Sequence, residues 1–177
     1  AESFNNLEVM LAFGLLKGEK TDWLIQKAVE LGVSAIWPLE MDHSILKLDS
    51  KKALDRQKRW QKIALEAAQQ CGASQVPTVE LPQKLAPAIS KFDGMVWVPH
   101  EARPEESLKR ELRGRERSVK NLIVVGPEGG FSAVETALLR DSGANLVTLG
   151  ERILRAETAS LTVLALVLYE WGNLGGQ

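Results

Sequence analysis

Two short segments in the last third of the chain concentrate the residues that could do chemistry. The first, Gly126-Pro127-Glu128-Gly129-Gly130-Phe131-Ser132, follows directly on the apolar run 122–125. Gly126, Gly129 and Gly130 permit positive φ and allow backbone amides to come close to a ligand. A tight strand-to-helix turn would need the same glycines, so the loop by itself leaves both readings open. The second segment begins at Leu149-Gly150 and continues through Glu151-Arg152-Ile153-Leu154-Arg155-Ala156-Glu157. A guanidinium is a fixed, permanently charged fork, so Arg152 and Arg155 could hold a phosphate or the developing oxyanion of a base. The competing reading is a structural ion pair of Arg152 or Arg155 with Glu128 or Glu157. Those two glutamates are also the candidates, by type and position, to take a proton.

Other chemistries lack their motifs. There is no G-x-x-x-x-G-K-[ST] phosphate loop, no G-x-G-x-x-G dinucleotide fingerprint and no G-x-S-x-G nucleophile elbow. The two histidines, His43 and His100, are far apart in sequence and read as structural or surface residues rather than general bases. Cys71 is the single cysteine, which excludes an intramolecular disulfide and a cysteine-based zinc cluster. No metal site is expected.

The elements that must position these segments are short apolar runs alternating with helical patterns, which predicts an α/β fold with a mostly parallel sheet flanked by helices. Strands are expected over 9–15, 34–39 (stopped by Pro38), 76–81, 94–98, 122–125 and 145–149. Helices are expected over 22–31, closed by Gly32, over 51–70, near 85–90 and over 158–171. In the long helix 51–70, Leu54, Trp60, Ile63, Ala64 and Ala67 fall on one face. Residues 103–120 are charged and expected to be helical over their first half. Ser132 followed by Glu135 reads as a capping box, starting a further helix. The two glycine-bearing loops then follow the carboxyl ends of two strands, where open α/β sheets bind ligands. The last helix is apolar on nearly every side, from Leu161 to Leu168, which requires burial in this core or against a second subunit. A homodimer is expected.

With 177 residues and 45% hydrophobic content, the chain is read as one domain, 1–177, with a substantial core. Lys+Arg 22 against Asp+Glu 23 gives a net charge of -1, so RNA contacts would have to be local. Residues 47–62 and 103–120 carry basic groups that could meet phosphates, although such runs are usually solvated helix faces. The most apolar stretch, 161–168, is far short of a bilayer span, so no membrane association is expected. A cytoplasmic compartment, or an organellar interior, suits the cysteine usage.

Taken together, the chain resembles the ribosomal RNA small subunit methyltransferase E family, within the SPOUT superfamily of trefoil-knotted methyltransferases. The resemblance runs through Lys17-Gly18, Gln26 to Val33, Glu66-Ala67-Ala68-Gln69-Gln70, the Gly126 to Ser132 loop with Glu135, and Leu149 to Ala159. It implies a SPOUT methyltransferase fold with a C-terminal deep trefoil knot, and S-adenosyl-L-methionine as cofactor. It further implies methylation of N3 of a uridine in 16S-type small-subunit ribosomal RNA, free or in the assembled small ribosomal subunit. The cofactor would be lined by Val98, His100, Glu101, Gly126, Pro127, Glu128, Gly129, Gly130, Leu149, Gly150, Ile153 and Leu154. Arg152, Arg155, Glu157 and Glu128 would face the methyl group and the base. Family members usually begin with a PUA-like RNA-binding barrel, and this chain is expected to start after it. Arginine is frequent in the family where this sequence has His43 and Ala73, two positions suited to RNA contact. The alternatives are a noncatalytic RNA-binding or ribosome-assembly protein of the same fold, and a knotted methyltransferase acting on another RNA site.

Overall fold

The computed structural model describes residues 6–101 and 106–176. The elements in chain order are β1 (Glu8–Gly14), α1 (Lys20–Leu31), β2 (Ala35–Glu40), α2 (Ser50–Cys71), β3 (Thr78–Val79) and β4 (Gln83–Lys84). They continue with α3 (Leu85–Lys91), β5 (Met95–Pro99), α4 (Leu108–Gly114), β6 (Lys120–Val125), α5 (Ala133–Asp141), β7 (Asn145–Val147) and α6 (Ala156–Trp171). The strands form one sheet in the order β3-β2-β1-β6-β5-β7, with β4 also pairing β2, and the pairings are parallel. The mostly parallel α/β expectation therefore holds.

Strand alternation divides the core into two layers. Val9, Leu11, Phe13, Ile123 and Val125 face α1, α2, α4 and α6, whereas Ala12, Leu122 and Val124 face α3 and α5. The sheet is thus buried on both faces, which is why its central strands read as continuous apolar runs. Gly32 ends α1 at φ 103°, donating to the Ala28 and Val29 carbonyls as a left-handed cap. At the other end of the chain, α6 is anchored by Trp171, whose indole N–H donates to the Leu112 carbonyl of α4 at 2.9 Å.

Several boundaries differ from the sequence expectation, each for an identifiable reason. Pro38 lies inside β2, opposite Phe13 of β1, instead of stopping the strand. Leu39 accepts from the Leu15 amide on the β1 side, and Ile36 accepts from Glu80 on the other side. By alternation, Pro38 directs its donor-less nitrogen away from β1, into the gap between the β3 and β4 pairings. Of the strand expected over 76–81 only Thr78–Val79 forms, and β4 follows beyond it at Gln83–Lys84, on the far side of the gap at Pro38. In α2 the buried stripe is Trp60, Ala64, Ala67 and Ala68, and Leu54 is 44% exposed because the first turns of the helix run past the core. β7 ends at Val147, and Thr148 instead bridges to Ser107, which frees Leu149 and Gly150 for a loop. α6 begins at Ala156, two residues early, with Arg155 as N-cap. Of the charged stretch 103–120, 103–105 lie outside the described residues and the helix occupies Leu108–Gly114.

Candidate active site

A cavity of about 520 Å³ opens at the carboxyl ends of β5, β6 and β7, in the range that suits a small-molecule ligand. Its walls are the segment after β5, the glycine loop after β6, and the 148–157 segment leading into α6. The fold thus brings the two chemistry-bearing segments to one place, beyond the carboxyl ends of the strands, where open α/β sheets bind ligands.

The glycine loop is held from three sides. Pro127 sits on Gly14 at the end of β1, where a Cβ would lie 2.6 Å from the proline Cδ. The Gly130 amide donates to the Pro127 carbonyl at 2.9 Å, closing a turn that puts Gly130 at φ 73°. Beyond it the expected capping box is formed: Ser132 Oγ accepts from the Glu135 amide, and Glu135 Oε2 accepts from the Ser132 amide. The second oxygen of Glu135 accepts from the Asp42 amide at 2.7 Å, and Ser132 Oγ donates to Asp42 Oδ2 at 2.6 Å. His43 follows, with Nδ1 3.0 Å from the Gly129 carbonyl. The turn after β2 is therefore a brace for the loop, a role that no local sequence signal carried.

Glu128 is tied down as well. Its Oε1 accepts from the Lys17 amide at 3.1 Å and lies 3.5 Å from Lys20 Nζ. Burial pushes this carboxyl up, but the amides of Glu128 and Lys17 and the Lys20 ammonium outweigh it, leaving Glu128 below the usual carboxylate range. It stays ionised and is a poor proton acceptor. Glu157, in the first turn of α6, differs: its Oε2 is buried and has no hydrogen-bond partner among the described residues.

Arg152 and Arg155 are exposed at the cavity wall, and neither makes an ion pair among the described residues. The structural ion-pair reading thus finds no support here. Gly150 has φ 117°, and a Cβ built on it meets nothing within 4 Å, so its backbone borders open space. Leu149, Ile153 and Leu154 supply apolar wall, with Ile153 79% exposed. His100 stacks on Phe131 at 5.9 Å with the rings nearly parallel, and its Nε2 is 3.3 Å from Thr136 Oγ1. Burial, with the nearby Arg140 guanidinium, lowers its pKa against the opposing effect of Glu101. His100, Glu101, Gly126, Pro127 and Gly129 also line the cavity.

Val98 stands apart from the other residues expected at the cofactor. It is fully buried in the layer facing α3 and α5, because alternation along β5 turns it inward. Lys20, Phe131, Thr148 and Ala159 line the cavity without having been expected there. Lys20 had no local signal, since its place depends on β1 lying beside β6. Among the described residues no group of histidine, cysteine, aspartate and glutamate could hold a metal ion.

Residues 3–168 match the family model described as RNA methyltransferase domain. The ribosomal RNA small subunit methyltransferase E of Bacillus subtilis is 39% identical, across 96% of this chain and 69% of its own length. This chain belongs to that family. A second member, from Mesomycoplasma hyopneumoniae, is 35% identical across 89% of this chain and 67% of its own. Among solved structures, the family's protein from Neisseria gonorrhoeae, bound to S-adenosyl methionine, superimposes with a TM-score of 0.83 at 34% identity. It covers 93% of this chain and 67% of that one. A putative methyltransferase from Legionella pneumophila, in complex with the same cofactor, gives 0.85 at 31% identity, across 93% and 66%. The chain thus spans about two thirds of the length of these family relatives.

Proposed function

We propose that this chain is the catalytic part of an S-adenosylmethionine-dependent ribosomal RNA methyltransferase that acts on N3 of a uridine in small-subunit RNA. The observation that carries the reading is the cavity itself. It joins the two segments and is lined by Arg152 and Arg155, which make no ion pair among the described residues, and by Glu157, whose buried Oε2 has no hydrogen-bond partner among them. The cofactor-bound relatives have this fold, and the cavity offers what that cofactor needs. Gly130 and Gly150 leave space where a side chain would stand, and Leu149, Ile153 and Leu154 offer apolar surface to a purine.

When bound, S-adenosylmethionine supplies a methyl group on a sulfonium leaving group, so the protein mainly has to orient the base and ease loss of its N3 proton. Arg152 and Arg155 hold a phosphate or a uracil oxygen and stabilise the negative charge that develops on the ring. Glu157, with its unpaired oxygen, is better placed than Glu128 to accept a hydrogen bond or the proton. Glu128 instead shapes the loop through Lys17 and Lys20. Two further features complete the reading. The chain passes from β7 at the sheet edge back to α6 against α1, β1 and β6, which supports a C-terminal trefoil knot. The outer side of α6 leaves Leu166 and Tyr169 exposed, which supports a homodimer. No helix among the described residues is long and apolar enough to cross a membrane, and ribosome assembly would place the protein in a cytoplasmic or organellar interior.

The test is calorimetric titration with S-adenosylmethionine, followed by incubation with small ribosomal subunits and nucleoside analysis of the digested RNA. Binding near one per chain and the appearance of 3-methyluridine are expected. Binding without transfer to any RNA would move a noncatalytic RNA-binding role to the front, and a methyl group on another nucleotide would reassign the target.

A further inference from the structure

A second cavity, of about 380 Å³, lies between the start of α1, residues 45–46 and the outer turns of α2. Its basic wall is Lys17, Arg56 and Arg59, and its acidic groups are Glu19 and Asp22. Arg59 is spent on Asp22, which its guanidinium contacts through both Nε and Nη2. Lys17 and Arg56 make no ion pair among the described residues, so after Glu19 is counted one positive charge is left over. The apolar wall is provided by Ile45, 66% exposed, and by Trp60, which is only 1% exposed. The Trp60 indole N–H is buried and has no acceptor among the described residues. The ring therefore meets the cavity as apolar surface and not through its N–H.

The cavity is next to the candidate active site. Lys17, Gly18 and Glu19 line the second cavity while Lys20 lines the first, so the turn 17–20 is their shared wall. That turn is fixed to the glycine loop by the Lys17 amide on Glu128. We infer that the second cavity holds a nucleotide of the RNA adjacent in space to the one being methylated. Its phosphate meets Arg56 and Lys17, and its base lies against Ile45 and the Trp60 ring. This inference rests on the RNA methyltransferase reading and adds to it a second, specificity-bearing subsite outside the cofactor cavity.

The experiment uses the whole chain, isotopically labelled so that the indole N–H signals are resolved, with Trp60→Phe to assign the Trp60 signal. A short single-stranded RNA bearing the target uridine is titrated in. The Trp60 signal is expected to move and saturate with RNA but stay in place with S-adenosylmethionine alone. Arg56→Glu changes an exposed side chain outside the first cavity. It is expected to leave cofactor affinity unchanged, raise KM for RNA with little change in kcat, and reduce the salt slope of RNA binding by about one. A Trp60 signal indifferent to RNA, or an unchanged KM in Arg56→Glu, overturns the inference where the unmodified protein methylates RNA. Failure of the unmodified protein to bind the cofactor or transfer methyl is read separately and counts against the function itself.

Discussion

Glu128 and Lys17 stand 111 residues apart in sequence, yet the Lys17 amide donates to the Glu128 carboxylate at 3.1 Å. With the Lys20 ammonium 3.5 Å from the same oxygen, this contact ties the loop after β6 to the turn that precedes α1. Because β1 lies beside β6 in the sheet, both turns emerge at the same edge, and the glutamate fixes how far apart they stand. The carboxylate therefore positions backbone that borders the cavity.

That relationship has a pH signature. The folded-state pKa of Glu128 lies below the unfolded value, so its contacts stabilise the fold above the ordinary carboxylate range. The contribution is lost as the pH falls through the depressed value. Glu128→Gln is expected to melt below the unmodified protein near pH 7, by no more than about 1 kcal/mol because the pair is largely exposed. The two melting curves should converge as the pH falls below the ordinary carboxylate range and through the depressed value of Glu128. Thermal melts across that range check this, and a gap that persisted in acid would show that the charge is not its source.

Arg155→Ala removes a side chain that makes no ion pair among the described residues, while its backbone carbonyl still accepts from Ala159 at the start of α6. The fold and the affinity for S-adenosylmethionine should hold, whereas kcat falls on the order of 100-fold or more, the usual result of removing a charge-stabilising donor. Arg155→Lys should not restore the rate, because a point charge does not replace the planar fork. Single-turnover methyl transfer, read beside calorimetry, separates these effects. Near-normal turnover in the alanine variant would remove Arg155 from the catalytic set.

Gly129 and Gly150 fail for different reasons when enlarged. At Gly129 a Cβ would stand 2.9 Å from His43 Cβ, so Gly129→Val pushes away the turn after β2 that braces the loop. At Gly150 there is room for a Cβ, but φ 117° is a conformation that a β-branched residue resists, and its side chain would project into space beside the cavity. Gly150→Val is expected to fold with a lowered melting temperature, the strain being confined to an exposed loop, and to lose measurable cofactor binding. Gly129→Val should lose both stability and binding. Equal cofactor affinity in a folded Gly150→Val protein would contradict the placement of the cofactor beside that residue.

What the sequence disclosed about this site was mostly local. The capping box of Ser132 and Glu135, the glycine loop and the arginine pair are short-range patterns, and each stands where its spacing put it. What it hid depends on neighbours far along the chain. Pro38 reads as a strand stop unless the gap between β3 and β4 is known, and Asp42 and His43 carry no hint that they pack on residues 129–135. The equal standing of Glu128 and Glu157 as bases was broken only by seeing which carboxylate is already engaged. His43, considered for RNA contact because arginine is frequent there in the family, is exposed and also lies against Gly129, so its substitution acts on the glycine loop as well.

The last helix supplies a prediction about assembly. Val163, Leu164, Val167, Leu168 and Trp171 are buried against the sheet and α4, which accounts for one side of a helix that looked apolar all round. The other side leaves Leu166 42% and Tyr169 63% exposed. One helix turn separates Leu166 from Tyr169, so they form a continuous outer strip suited to the same strip of a second copy about a twofold axis. Tyr169→Glu places a charge on that strip without disturbing the inner face. The unmodified protein is expected to sediment as a dimer and Tyr169→Glu as a folded monomer with unchanged helical content. Sedimentation velocity with circular dichroism checks both statements. A Tyr169→Glu protein that remains dimeric would place the interface on another face, and the exposed side of α6 would then need a different partner.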